Sequence, residues 1–253
     1  MAKRQHLKGI HGFVIGLLGG CFGGLVGFGG GAVMIPLMTG LAKLTQHKAH
    51  GTSLAAIIFT ALVGAATYFL HGAVDWKVAA VLAASAILTA RFGALYAHSL
   101  PEKKLKKAFG FFLAVVSVLV IIKGLLPGAD HPPSFWVSLL IFLSTGAATG
   151  FLSGMMGVGG GTVMIPPMVI LAGMSQHLAQ GTSLLAMVPV SISGALTHYR
   201  LGNVQVDLIP GLVVGAVIGG YLGGTAANVL PDIYLKLIFS AVLVWLGLKY
   251  IRN

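Results

Sequence analysis

The chain has 253 residues, of which 57% are apolar and 8% charged, with a formal net charge of +11. A mean hydropathy of +0.94 and so little charge, against about 25% charged residues in soluble domains, exclude a water-soluble fold, so the backbone polar groups must be satisfied inside helices in lipid. The positive charge is no nucleic-acid footprint: Lys3, Arg4 and Lys8, then Lys103, Lys104, Lys106 and Lys107, then Lys249 and Arg252 stand in short flanks between hydrophobic runs, as topology-setting residues do.

In chain order, runs long enough to cross about 30 Å of hydrocarbon are predicted at 10–27, 54–70, 78–97 and 108–126, then at 135–158, 184–199, 208–227 and 235–251. Shorter apolar runs at 32–44 and 162–174 follow the first run of each set; at about 13 residues they are marginal for a full span. Each is expected to form a hairpin with the run before it, and GFGGG or GVGGG makes the tip. The basic stretch before residue 10 resembles a signal peptide, but no small-residue cleavage site followed by a soluble domain appears. The first segment is therefore read as a helix of the mature protein.

The two sets are copies of one design. GLVGFGGGAVMIPLMTGLAKLTQHKAHGTSL at 24–54 returns as GMMGVGGGTVMIPPMVILAGMSQHLAQGTSL at 154–184, with 19 of 31 positions identical. The offset of 130 residues carries on: Gly64 falls on Gly194, Gly93 on Gly223, and Leu100-Pro101 on Leu230-Pro231. Cys21 is the one cysteine, so no intrachain disulfide forms, and Phe151 stands opposite it; it reads as a small packing residue.

Parity sets the expected topology. From a cytoplasmic N-terminus the hairpin 10–44 returns the chain inside, 54–70 exits, 78–97 returns and 108–126 exits. The basic cluster at 102–107 then lies inside and the lysine-free loop 128–134 outside, as the charge rule requires. An odd number of crossings inverts the second half and leaves the C-terminus cytoplasmic. The expected fold class is an all-α polytopic membrane protein of two inverted-topology repeats, 1–127 and 135–253, joined by an external linker at 128–134. Each repeat is a glycine-broken hairpin (10–44, 135–174) plus three transmembrane helices, an arrangement on which many secondary transporters are built.

Glycine runs in lipid are costly unless they line a cavity or pack on another backbone. Gly29, Gly30 and Gly31, and Gly159, Gly160 and Gly161, directly precede the short helices, whose free amides and positive dipole ends make an anion site. Pro36 and Pro166 interrupt those helices. Thr52 and Ser53, and Thr182 and Ser183, open the next spans; hydroxyls there normally cap, and they are also candidates for the same anion cradle. His47 and His177, with Gln46 and Gln176, fall in predicted loops on opposite faces and are candidate gating or proton-linked residues. Arg91 sits in an otherwise apolar span, where an arginine reads as functional, with Tyr221 at the repeat-related position. Arg200 lies near a helix end and is placed to snorkel. Asp75, Glu102, Asp130, Asp207 and Asp232 fall in loops or helix starts, which weighs against cation transport. HExxH, Walker A and CxxC patterns are absent, so the chain is expected to be no enzyme, with no catalytic residue, metal or cofactor.

GxGGGxxMIP in each half, each followed by GTSL, across 16–251 of an apolar chain, resembles the sulfite exporter TauE/SafE family of membrane transporters. The resemblance implies a secondary transporter, acting as an exporter of a small sulfur oxyanion such as sulfite or an organosulfonate, in the inner (plasma) membrane of a prokaryote. Alternating access would rock one repeat against the other around a midplane site. An anion channel and a non-transporting membrane scaffold or assembly factor are the rival readings. The expected partners are the small anion and membrane lipid, with no nucleic acid; protons as coupling ion and a homodimer stay open.

Overall fold

The computed structural model describes residues 2–104 and 134–231, with positions 107, 108, 111 and 115 after the first stretch and 233–235, 237, 238, 241, 244 and 245 after the second. The described residues contain no strand. Their helices are α1 (Ala2–Val26), α2 (Gly31–Gly40), α3 (Gln46–Leu70), α4 (Trp76–Ser99), α5 (Phe135–Met156), α6 (Gly161–Ile170), α7 (Gln176–Arg200) and α8 (Ile209–Val229), the last entered through a 3₁₀ turn at Val206–Leu208. Among the described residues six segments are long and apolar enough to cross a membrane: Gly9–Val26, Gln46–Leu70, Trp76–Ser99, Phe135–Met156, Gln176–Arg200 and Val206–Val229. The chain is a multi-pass membrane protein. The expected spans 108–126 and 235–251 and the linker 128–134 lie outside the described residues, single positions apart.

Two expected boundaries move. Helices α3 and α7 begin at Gln46 and Gln176, so the stretches 46–53 and 176–183 are helix and not loop. The caps are Thr45, whose side chain accepts from the Lys48 N–H, and Ser175, which accepts from Leu178 N–H. Thr52, Ser53, Thr182 and Ser183 lie two turns inside. Their polarity is tolerated in a helix because they are buried against protein, where partners are available. The short helices stop at Gly40 and Ile170, short of 44 and 174. Ten residues make about 15 Å of helix, half the hydrocarbon thickness, so neither crosses alone.

Glycine sets how the long helices pack. On α1, Gly12, Gly16, Gly20 and Gly24 lie against the carbonyls of Leu208, Leu212, Ala216 and Gly220; on α8, Gly211, Gly215, Gly219 and Gly223 lie against those of Gly9, Phe13, Leu17 and Cys21. No Cβ fits at any of these contacts, so the backbones touch directly, the small-residue packing that membrane helices favour. A second ladder joins α4 to α5: Gly150 and Gly154 sit on the Ala86 and Ala90 carbonyls, and Gly93 on that of Phe151. Both ladders pair rising numbers with rising numbers, so each pair runs parallel. At the centre α3 and α7 are antiparallel, with Gly64 beside Leu184 and Gly194 beside Leu54. Since Gly220 and Gly224 of α8 meet Thr60 and Thr67 of α3, and Ser193 of α7 and Asn203 just beyond it meet Ile87 and His98 of α4, α1, α3 and α8 run one way and α4, α5 and α7 the other. Leu88, Phe92, Phe135, Trp136, Leu140 and Val229 are exposed around the outside.

Candidate functional site

The two glycine turns are wholly buried. Gly30 and Gly160 head α2 and α6 with φ of 89° and 104°, a left-handed backbone that glycine adopts without strain. Neither helix has a side-chain cap. The first helical bonds run from Val33 and Met34 N–H to Gly30 O, and from Val163 and Met164 N–H to Gly160 O. The amides of Gly31, Ala32, Gly161 and Thr162 precede them, so each helix presents free donors and a positive dipole end at its turn.

The turns meet. A Cβ on Gly31 would lie 2.5 Å from Gly157 O and 2.8 Å from Val158 Cα, and one on Gly161 would strike Gly27 O and Phe28 Cα. Gly29 and Gly159 both face Met187 Cε and the Ile57 side chain. Ile57 and Met187 are repeat counterparts, each near the middle of its 25-residue helix, so the junction lies at mid-length of the central helix pair.

The GTS hydroxyls fasten this junction. Ser53 Oγ donates to Gly157 O at 2.6 Å, and Ser183 Oγ to Gly27 O at 2.7 Å, each holding the opposite half's turn. Thr52 Oγ1 accepts from Gln205 N–H and Thr182 Oγ1 from Asp75 N–H, both at 2.9 Å. The geometry brings the two serines to the turns and ties the two threonines to the loops before α4 and α8, with all four hydrogen-bonded to the protein itself.

The other expected site residues lie elsewhere. His47 and His177 stand in the first turns of α3 and α7, at opposite ends of the bundle, and not in loops; their Nε2 atoms bond the last carbonyls of neighbouring helices, Ala97 O at 3.1 Å and Ala227 O at 3.0 Å. Gln46 and Gln176 are buried beside them. The Gln46 N–H donates to Glu102 Oε1, and its side-chain oxygen meets His50 Nε2. Arg91 is exposed on the outer face of α4, in register with exposed Leu88, Phe92 and Leu95, and Tyr221 is exposed likewise. The structure does not bring Arg91 to the turns.

Of four residues that the sequence reading passed over, Thr149, Ser153 and Thr162 stand there, and Ser191 lies one helical turn away. Thr149, Ser153, Thr162 and Ser191 are at most 1% exposed, and their hydroxyls have no hydrogen-bond partner. A Cβ on Gly160 would lie 2.5 Å from Thr149 Cγ2, 3.7 Å from Ser153 Cβ and 3.9 Å from Met187 Cγ. Thr162 is in the first turn of α6, and Ser191 is one helical turn beyond Met187. Their repeat counterparts are Gly19, Gly23, Ala32 and Ala61. In the first half Gly30 lies directly on Gly19 O, and a Cβ on Gly23 would sit 2.8 Å from Gly30 Cα, so that turn packs on bare backbone. The signal was in the sequence, at the positions where the two copies differ. Among the described residues no Lys, Arg, Asp or Glu is buried, and no group of three His, Cys, Asp or Glu could hold a metal. Chemically the arrangement offers neutral hydrogen-bond donors in a buried interior.

The profile of a family described as Sulfite exporter TauE/SafE matches residues 12–250. The chain is 28% identical over 224 residues to Probable membrane transporter protein YunE of Bacillus subtilis (strain 168), covering 78% of this chain and 82% of that one. It is 28% identical over 215 residues to Probable membrane transporter protein YdhB of the same strain, covering 84% and 88%. A Probable membrane transporter protein of Xylella fastidiosa (strain 9a5c) is 30% identical over 196 residues, covering 76% and 71%. No solved structure matches the chain.

Proposed function

The chain belongs to the sulfite exporter TauE/SafE family of membrane transporters, and from that premise we propose that it is a secondary exporter of a small sulfur oxyanion, sulfite or an organosulfonate, across a prokaryotic inner membrane. The observation that carries this reading is the meeting of two buried glycine turns at mid-length of the bundle, each headed by a helix N-terminus with free amides. Donors fixed in a buried interior without carboxylates suit an anion far better than a cation. Inverted-topology repeats are supported by the helix directions: under the 130-residue offset α1 corresponds to α5, α3 to α7 and α4 to α8, and each helix runs opposite to its counterpart. Alternating access then moves bodies that cut across the halves. The ladders tie α1 to α8 and α4 to α5, so these pairs are the rocking units, and the halves as such are not.

Counterflow in proteoliposomes tests the reading. Unlabelled sulfite on the inside should accelerate uptake of radiolabelled sulfite, as a carrier requires. Conductance without acceleration would make the protein a channel, and absence of flux for sulfite and for methanesulfonate would leave a scaffold.

A further inference from the structure

We propose that the anion is bound by the second half alone, in a cradle of the Thr149, Ser153, Thr162 and Ser191 hydroxyls and the first amides of α6, and that this cradle selects singly charged oxyanions. The proposal rests on the reading above that the protein carries an anion.

Two independent observations converge on the place. One is the N-terminus of α6, a ten-residue helix without a side-chain cap. The other is the set of buried, unpartnered hydroxyls on side chains beside it: Thr149 and Ser153, whose carbons pack on Gly160, Thr162 in its first turn, and Ser191 one turn beyond Met187. Thr149 and Ser153 are one turn apart on α5 and flank Gly160. Ser191 follows Met187 by one turn on the parallel helix α7, and Gly194 beside Gly154 sets Ser191 at the depth of Thr149 and Ser153. A buried hydroxyl without a partner is rare and destabilising. Each can donate one hydrogen bond, and an oxyanion supplies the missing acceptors. The first half, with Gly19, Gly23, Ala32 and Ala61 at these places, offers no hydroxyl and no room, so one chain holds one anion.

Charge selection follows from what the cradle lacks. With no buried cationic side chain among the described residues, nothing offsets a second negative charge. The cost of taking an ion out of water grows with the square of its charge, so a dianion faces roughly four times the penalty of a monoanion. Hydrogensulfite and the sulfonate head of an organosulfonate fit; sulfate does not.

Calorimetric titration of the full chain in detergent, with sodium methanesulfonate as monoanion and sodium sulfate as dianion, tests this. One methanesulfonate should bind per chain, and sulfate at least tenfold more weakly. Ser153→Ala, Thr162→Ala and Ser191→Ala should each weaken methanesulfonate by about tenfold or more, the worth of a hydrogen bond to a charged group. Their melting temperatures without ligand should hold or rise, because an orphan hydroxyl is removed. Thr162→Ala and Ser191→Ala install what the first half already carries, so they keep the test should Ser153→Ala misfold. Undiminished binding in all three variants would overturn the cradle and leave anion transport standing. Two anions per chain would overturn the one-sided site, and sulfate binding as tightly as methanesulfonate the charge selection. A wild-type chain that binds neither methanesulfonate nor sulfite would overturn this proposal and the transport reading together.

Discussion

Gly16 and Gly40 are chemically the same residue under opposite constraints. A Cβ on Gly16 would strike Leu212 O and lie 2.9 Å from Ala216 N, whereas nothing lies within 4 Å of one on Gly40. Gly16→Ala should therefore cost about 1–3 kcal/mol, since α8 can yield only by breaking its ladder. Gly40→Ala should be neutral or stabilise by up to about 1 kcal/mol through helix propensity; thermal unfolding in detergent reads both. Arg91 gives the matching prediction for the site. Exposed and apart from the turns, it should tolerate Arg91→Gln with methanesulfonate affinity and sulfite flux within about twofold, a change expected of a surface residue. A tenfold loss would show that it reaches the anion after all. The glycines of the two turns and the hydroxyls of GTS stood out because they repeat. Thr149, Ser153, Thr162 and Ser191 did not, because a comparison of two copies for identity is blind to what one copy adds.

Six of the apolar spans appear as long helices, since a hydrophobic run in lipid has few alternatives to helix. The polar stretches 46–53 and 176–183 were misread as loop and cap for the same reason inverted: hydropathy scores Gln, His, Thr and Ser as breaks in a span. In the fold, their side chains bond to turns and loops of the opposite half, as Ser53 does to Gly157 and Thr52 to Gln205, and the helix runs through. The antiparallel relation of counterparts makes a prediction about elements. Trp76 and Val206 are repeat-related, exposed, and stand at the starts of α4 and of the turn into α8. In a Cys21→Ala background, Trp76→Cys should label with an impermeant thiol reagent from outside intact cells, and Val206→Cys only after the membrane is opened. Labelling of both from one side would exclude inverted repeats.

For the whole molecule, the energetics of the proposed export depend on charge. A monoanion leaving an inside-negative compartment gains about 2.3 kcal/mol per 100 mV, which corresponds to about a fiftyfold distribution ratio at equilibrium. Proteoliposomes loaded with sulfite and clamped at a potassium diffusion potential should empty faster as the interior is made more negative. Efflux indifferent to potential would mean that a proton leaves with each anion. The helix ladders carry a consequence for the protein's history. The first long helix of each half lies against the last described helix of the other, glycine on carbonyl, and no such surface is covered from within its own half. A single ancestral copy would have exposed both sides of its ladder to lipid, and only a second identical chain, lying beside it in the reverse sense, could have covered them. In the present chain each half therefore supplies the surface the other lacks, and a half expressed alone should pair with a second copy of itself or fail to fold.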